Sequence, residues 1–450
     1  MLAAYYNGRS DVRVGDLPEP KILFPGDAIV RVTLAGICGA DLEFTHNGPE
    51  LGLIPGMRTG HEFVGVVEAI GNEVNGVTVG DRVLASAGFV DGQCFYCQID
   101  QYPSCEHFGL FGSHLFIPHG GEDVQGGQSE LVRVPYANGT LFKLPESLSS
   151  GGDDAKVFPL GDNFSTGFHG ALNANIGTGE TVVIFGDGAV GISAVMAATL
   201  FGPAQIILVG RHDSRLELGK KAGATHVVNG KTTDPVFFIK DLTDGRGPSS
   251  LVDTIGGKSS LTQTIDVARA GAAISVTGFG HIFEPVDQPF SAGLFRNLRF
   301  HTGVVTVNAH VPRLLPLVES GRIDPSLIFT NTLPLAETER GYALMRDRSS
   351  GTVKVALSNG CSHRPGHRRR RGDRRGDRPP LCRRRIPCRH AGARRRPVGS
   401  TGTRDCRQRF LWLRRWRPRG TGDDAGSGAG AARVARYHRA QCRISHIRPL

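Results

Sequence analysis

Six residues restrict the fold of this chain more than any others: Gly186-Asp187-Gly188-Ala189-Val190-Gly191. They follow a short apolar run, Thr181–Phe185, and open a small-residue helical run, Ala189–Phe201. A G-x-G-x-x-G between a strand and a helix marks a βαβ unit that holds a dinucleotide. Gly186 makes the tight turn, Gly188 lets a pyrophosphate approach the backbone, and Gly191 lets helix and strand pack. The start of the helix, Ala189 and Val190, presents its N–H groups and dipole to the phosphates. The same rhythm continues downstream. A strand is expected over 205–209, a helix from Asp213 or Ser214 to a stop at Gly223, and strands over 251–254 and 272–277. Such alternation implies a parallel sheet covered on both faces.

The end of the second strand decides which dinucleotide fits. An acidic residue there bonds the ribose 2′-hydroxyl of NAD. That position, 24 residues after Gly186, is Gly210, followed by Arg211. Glycine leaves room for a 2′-phosphate and Arg211 offers a planar cation. NADP(H) is therefore expected over NAD(H). In the other reading Arg211 is a solvated surface residue and Asp213 is the acid.

Upstream, residues 1–157 read as β-rich, with strand-like runs at Ala28–Leu34 and Phe63–Ile70 and a Gly80-Asp81 turn. Between the first two lie Cys38 and Gly60-His61-Glu62, and Asp162 follows later. One thiolate, one imidazole and one carboxylate make a catalytic zinc set if the fold brings them together. A buried cysteine or histidine alone would be ordinary core. Three more cysteines, Cys94, Cys97 and Cys105, fall within twelve residues. With no secretion signal expected at the N-terminus, that spacing reads as metal binding before disulfides.

These stretches together resemble the zinc-dependent alcohol dehydrogenase family of medium-chain dehydrogenases/reductases. The resemblance spans about residues 1–358. It rests on Gly36-Ile-Cys38-Gly-Ala-Asp41, on Gly60-His61-Glu62 through Gly80-Asp81-Arg82-Val83, on Asp162-Asn-Phe-Ser-Thr166-Gly-Phe-His169, and on the glycine fingerprint. It implies an α/β chain: a GroES-like catalytic domain (1–157, with a return segment 304–358) and a Rossmann doubly wound domain (158–303). It implies zinc held by Cys38, His61 and Asp162, with Glu62 an exchangeable or outer ligand. Asp41 stands behind the zinc and Thr166 where the nicotinamide packs. Asp162, where other members carry Cys, and the Gly210-Arg211 pair resemble the NADP-dependent secondary alcohol dehydrogenase branch. An NAD-dependent polyol or threonine dehydrogenase-like enzyme is the alternative. The implied substrates are small alcohols and carbonyls, and the implied assembly is a homodimer or homotetramer. Pocket walls are expected near Ser86, Leu110 and Phe111.

Two departures stand out. The family's structural zinc lobe has four cysteines; here Asp91 replaces the first, before Cys94, Cys97 and Cys105. Either a Cys3Asp site holds zinc or the thiols are merely packed. Two residues after Cys38 the family carries a hydroxyl that passes the alcohol proton outward, and here stands Ala40, which cannot relay one. Glu43, His46 or a water is left for that task, or turnover is slow.

Charge divides the chain. Residues 361–450 hold 27 Arg, no Lys, 5 Asp and no Glu, a net +22, so the overall +11 leaves −11 for residues 1–360. Runs at Arg368–Arg371, Arg383–Arg385 and Arg394–Arg396 recur without apolar periodicity. One reading is a disordered basic arm binding nucleic acid, with Trp412 and Trp416 available for stacking. Arginine without lysine or glutamate, amid Gly, Ala and Pro, matches GC-rich coding DNA in the wrong frame. A frameshift near residue 359 is therefore expected, and nucleic acid is not expected as a partner. No apolar run reaches about 18 residues, so no membrane span is expected, and the expected location is cytoplasmic.

Overall fold

The structure is a computed structural model. It describes residues 1–113, 126–148, 153–278, 280 and 290–359. All of these belong to one compact unit, and residues 360–450 lie outside the described residues. The readings made of the arginine-rich tail fall there, apart from Asn359. That residue is fixed in the sheet: its Nδ2 donates to Val32 O (3.0 Å) and Ser129 O (2.9 Å).

The fingerprint strand, Thr181–Phe185, lies inside a six-stranded sheet. The order is His226–Asn229, Gln205–Gly210, Thr181–Phe185, Ser250–Asp253, Ala273–Val276, Arg299–Thr302. Every adjacent pair is parallel. Its inner strands, Thr181–Phe185 and Gln205–Gly210 above all, are apolar on both faces because both faces are covered, whereas the edge strand Arg299–Thr302 is exposed. Val182, Ile184, Ile206 and Leu208 belong to one core, and Val183, Phe185, Ile207 and Val209 to another. Helices Asn163–Asn173, Ala189–Thr199 and Val307–Glu319 pack on the first side, and Pro235–Leu242 and Lys258–Val267 on the second. Sequence periodicity locates the Ala189 and Asp213 helices to within two residues. It passes over the strand His226–Asn229, whose four residues are too few to show a period.

The second sheet has the order Asn331–Pro334, Val355–Ser358, Ala28–Ile37, Phe63–Ile70, Arg82–Ala85, Leu141–Lys143, with Leu131–Val134 also paired to the first half of Ala28–Ile37. The late strand Val355–Ser358 runs antiparallel to Ala28–Ile37, with Val355 opposite Ile37 and Leu357 opposite Ala35. Residues 354 and 36–38 thereby meet, although more than three hundred residues separate them. Gly65 is required where two backbones nearly touch: a Cβ there would lie 2.2 Å from Arg31 O.

Candidate active site

Three element ends converge. Cys38 follows the strand Ala28–Ile37 and starts the helix Gly39–His46. His61 and Glu62 precede the strand Phe63–Ile70. Asp162 starts the helix Asn163–Asn173. Their ligand atoms all lie within 4.8 Å of one another. Cys38 Sγ is 3.5 Å from Asp162 Oδ2, and His61 Nε2 is 3.4 Å from the same oxygen. Gly60, at φ +91°, takes a conformation that turns the chain into this corner at little cost only for glycine.

Supporting residues orient the donors. His61 Nδ1 donates to Asp41 Oδ1 at 3.0 Å, which leaves Nε2 as the free donor atom. Asp41 Oδ2 accepts from the Cys38 N–H (2.9 Å) and from Gln128 Nε2 (3.2 Å). Asn163 Nδ2 donates to Asp162 Oδ2 (2.9 Å), and Thr166 Oγ1 donates to Asp162 Oδ1 (3.3 Å). Glu62 Oε2 pairs with Lys354 Nζ, while Glu62 Oε1 is buried with no hydrogen-bond partner.

The titration pattern describes a pocket that calls for positive charge. Burial works to lower the pKa of His61, yet Asp41 and Asp162 outweigh it and hold it well above its ordinary value. Burial works to raise Asp162, but the His61 hydrogen bond and charge bring it down to about 2. Burial raises the Cys38 thiol, and pushes Glu62 up to about 7 against the pull of Lys354. Without a metal, the imidazole keeps a proton because anions surround it. A divalent cation would replace that proton, free His61 Nε2 to coordinate and let Cys38 ionise. One thiolate, one imidazole and one carboxylate, with an orphaned carboxylate oxygen beside them, fit zinc with an open position.

A second cluster, Asp91, Cys94, Cys97 and Cys105, also brings its ligand atoms within 4.8 Å. The Cys94 and Cys97 sulfurs are 3.6 Å apart. Asp91 Oδ1 accepts from the N–H groups of Gln93 (2.8 Å) and Cys94 (2.9 Å), and Asp91 Oδ2 from His107 Nδ1 (2.7 Å). Burial opposes, but these donors hold the Asp91 carboxyl far below its usual range. Burial and the neighbouring thiols push Cys97 strongly up. Crowded thiols around an ionised carboxylate fit a structural metal. His107, which fixes that carboxylate, lies two residues past the sequence pattern and carried no signal of its own.

At the fingerprint, Gly186 sits at φ +113°, and a Cβ on Gly191 would lie 1.8 Å from Gly186 O. A Cβ on Gly188 would meet no atom within 4 Å, so that glycine faces open space before the helix Ala189–Thr199. Gly210 differs from expectation. A Cβ there would lie 2.6 Å from Asp187 Oδ2, so the vacancy expected for a phosphate is filled by the Asp187 carboxylate. Asp187 Oδ2 accepts from the N–H groups of Arg211 (2.7 Å) and His212 (2.9 Å). Beyond it, Arg211, Asp213, Ser214, Asn229 and Lys231 line one cleft. Asp213 Oδ1 is engaged by Asn229 Nδ2 at 2.7 Å.

Not every expected residue joins the centre. Glu43 is half-buried, and its hydrogen bonds run along its own helix, Oε2 accepting from Asn47 Nδ2 at 3.4 Å. His46 is exposed and lies 3.1 Å from Ser10 Oγ. Leu110 packs with Ala40 in one small cluster. Phe111 is fully buried, edge-on to Phe63 at 5.1 Å and Phe89 at 5.5 Å, and so is core rather than pocket wall.

Comparison with known proteins gives the same reading. Residues 24–146 match the alcohol dehydrogenase GroES-like domain and residues 189–320 the zinc-binding dehydrogenase domain. A probable zinc-binding alcohol dehydrogenase of Mycobacterium tuberculosis is 34% identical over 358 residues, 79% of this chain and 88% of that protein. The structure of the alcohol dehydrogenase TADH from Thermus sp. ATN1 is 34% identical with a TM-score of 0.72, covering 80% of this chain and 99% of that one. A chain from Sinorhizobium meliloti, described as a zinc-binding dehydrogenase and bound to NADP, is 25% identical with a TM-score of 0.68, covering 79% and 98%. Among the described residues no helix is long and apolar enough to cross a membrane. With two domains of the family matched and the fold shared over 80% of the chain, this protein belongs to the zinc-dependent alcohol dehydrogenase family of medium-chain dehydrogenases/reductases, oxidoreductases that use zinc and a nicotinamide cofactor on small-molecule substrates.

Proposed function

We propose that this chain interconverts a small alcohol and its ketone or aldehyde, with NADP(H) preferred and one catalytic zinc held by Cys38, His61 and Asp162. The observation that carries the reading is the buried donor set beside the dinucleotide helix: Asp162 and Thr166 share one helical turn and one hydrogen bond of 3.3 Å. That turn ties the metal to the face on which the nicotinamide packs. Bound zinc supplies a Lewis acid that lowers the pKa of an alcohol oxygen, and the nicotinamide accepts or returns the hydride. The chain does the rest. Asp41 and Asn163 hold the donors in place, and Gly186, Gly188, Ala189, Val190 and Gly191 cradle the pyrophosphate. With no hydroxyl at Ala40 and Glu43 engaged by Asn47 away from the centre, the proton leaves through water. Asp91, Cys94, Cys97 and Cys105 hold a second, structural zinc.

NADP(H) is supported by Arg211 and Lys231, two cations on one cleft at the end of the second strand. A specific observation favours NAD(H) instead: the Asp187 carboxylate lies against Gly210, where it would repel a 2′-phosphate. Domain limits at 1–157, 158–303 and 304–358 belong to the same proposal, as does a cytoplasmic location. So does a homodimer or homotetramer. It draws support from the sheet edge Arg299–Thr302, all of whose residues are exposed, next to exposed Leu294 and Phe295.

The test measures bound zinc and the absorbance of the reduced cofactor on the full chain, across a panel of small alcohols with NAD and with NADP. Zinc with turnover, and a higher kcat/KM for NADP, supports the proposal. No zinc and no turnover on any alcohol overturns it, and a higher kcat/KM for NAD decides for the Asp187 reading.

A further inference from the structure

Lys354 has no role in the reading above, yet it sits inside the metal centre. It lies just before the strand Val355–Ser358, which returns to pair with the strand ending at Cys38. Its side chain and that of Glu62 are each 1% exposed and form an ion pair. The Lys354 ammonium also lies 5.9 Å from the centre of the Phe158 ring. A lysine so fully buried is rare unless its charge has a specific partner. The surroundings show what it balances. Cys38, Asp162 and Glu62 are three groups that carry negative charge around a bound metal, with ligand atoms within 4.8 Å of one another. A divalent ion leaves that set one negative charge in excess, and Lys354 brings it to zero. The charge on Asp41 is met separately by His61, Gln128 and the Cys38 N–H.

The pairing is one-sided. Lys354 takes Glu62 Oε2, and Glu62 Oε1 is left buried and without a partner. A carboxylate with one oxygen tied back and one oxygen free is a ligand held in reserve. We infer that Lys354 is a positioning residue: it holds Glu62 off the metal, so that the fourth position stays open for substrate, and it cancels the excess charge of the donor set. Resting on the zinc reading, this adds the residue that sets whether Glu62 or substrate occupies that position.

Cobalt(II) loaded in place of zinc gives a readout apart from activity, since its visible bands shift when one ligand of a four-coordinate site replaces another. The spectrum of this centre is obtained by subtracting that of a Cys38→Ser variant. Lys354→Met should shift the bands as Glu62 replaces water in the fourth position, Lys354→Arg should keep the wild-type spectrum, and Lys354→Met with Glu62→Gln should restore it. The double variant also removes the lone buried charge that could unfold the single one. Loss of cobalt from Lys354→Met with retention in the double variant would overturn the inference, since a freed Glu62 adds an anionic ligand and the lost ammonium no longer repels the ion. An unchanged spectrum in fully loaded Lys354→Met overturns it, as does loss of cobalt from both variants. Failure of the zinc reading looks different: wild type would take up no more cobalt than Cys38→Ser.

Discussion

The helix that begins at Asp162 is fastened at its far end by two histidines, and that fastening should fail in acid. Asn173 Nδ2 donates to His169 Nε2 at 2.9 Å, so His169 carries its proton on Nδ1. It then donates to His310 Nε2 at 3.0 Å, which leaves the His310 proton on Nδ1, buried and without a partner. His310 is 3% exposed, on the helix Val307–Glu319. A second proton on His310 must go to Nε2 and break this bond. Burial, His169 and Arg313 together lower its pKa to about 3. His169 is lowered too, by burial and by His301. The sign follows from the depressed folded pKa: the unfolded chain takes the proton first. The contribution of His310 is complete above its unfolded value and drains away as pH falls toward its folded one. From an unfolded value of about 6.5, the loss between about pH 8 and about pH 5 is roughly 2 kcal/mol. The assay is urea unfolding of wild type and His310→Asn at both pH values, because the asparagine oxygen can still accept from His169. Wild type should lose about 2 kcal/mol more than the variant over that interval, whatever their absolute difference at pH 8. Parallel losses in the two proteins would refute the tautomer argument.

Other perturbations separate the parts of the site. Gly188→Ala should fold like wild type, since its Cβ meets no atom within 4 Å, yet bind NADPH and NADH at least about tenfold more weakly by fluorescence titration. Gly191→Ala should instead lower the melting temperature, because its Cβ would lie 1.8 Å from the Gly186 carbonyl oxygen. Asp41→Asn should weaken metal binding by about 10–100-fold in chelator competition, because the Cys38 N–H and His61 Nδ1 lose their anionic acceptor. Arg211→Ala should weaken NADPH binding by about tenfold, the low end for a charge-assisted contact at an exposed site, and leave NADH unchanged.

The sequence made some of this legible because the chemistry is local. Strand, glycine turn and helix at 181–199 are contiguous, so the fingerprint could be read without tertiary knowledge. The metal donors could be named only together, since Cys38, His61 and Asp162 are each ordinary core residues until one sheet and one helix place three element ends at one point. Lys354 was invisible for the opposite reason. Read in sequence, Gly351-Thr-Val-Lys-Val is a strand with one charged residue, and nothing in it tells an inward lysine from a solvated one. Only the pairing of Val355 with Ile37 carries it to Glu62.

Gly210 shows how a local reading can rest on the wrong cause. The absence of an acid there reads as space for a phosphate. In the fold the space is taken by Asp187, the variable second residue of the fingerprint itself. Residues 187 and 210 sit at the ends of adjacent parallel strands, where Phe185 pairs with Val209, so a side chain on one turn can replace a side chain on the other. The charge at the ribose end of this site therefore belongs to a pair of positions. A glycine at 210 beside an aspartate at 187 differs electrostatically from the same glycine beside a neutral residue. The proposed preference for NADP(H) therefore rests on the balance of Asp187 against Arg211 and Lys231. Asp187 already accepts from the N–H groups of Arg211 and His212 and from His212 Nδ1, whereas the two cations line an open cleft, and it is this asymmetry that the comparison of kcat/KM for NADP and NAD tests.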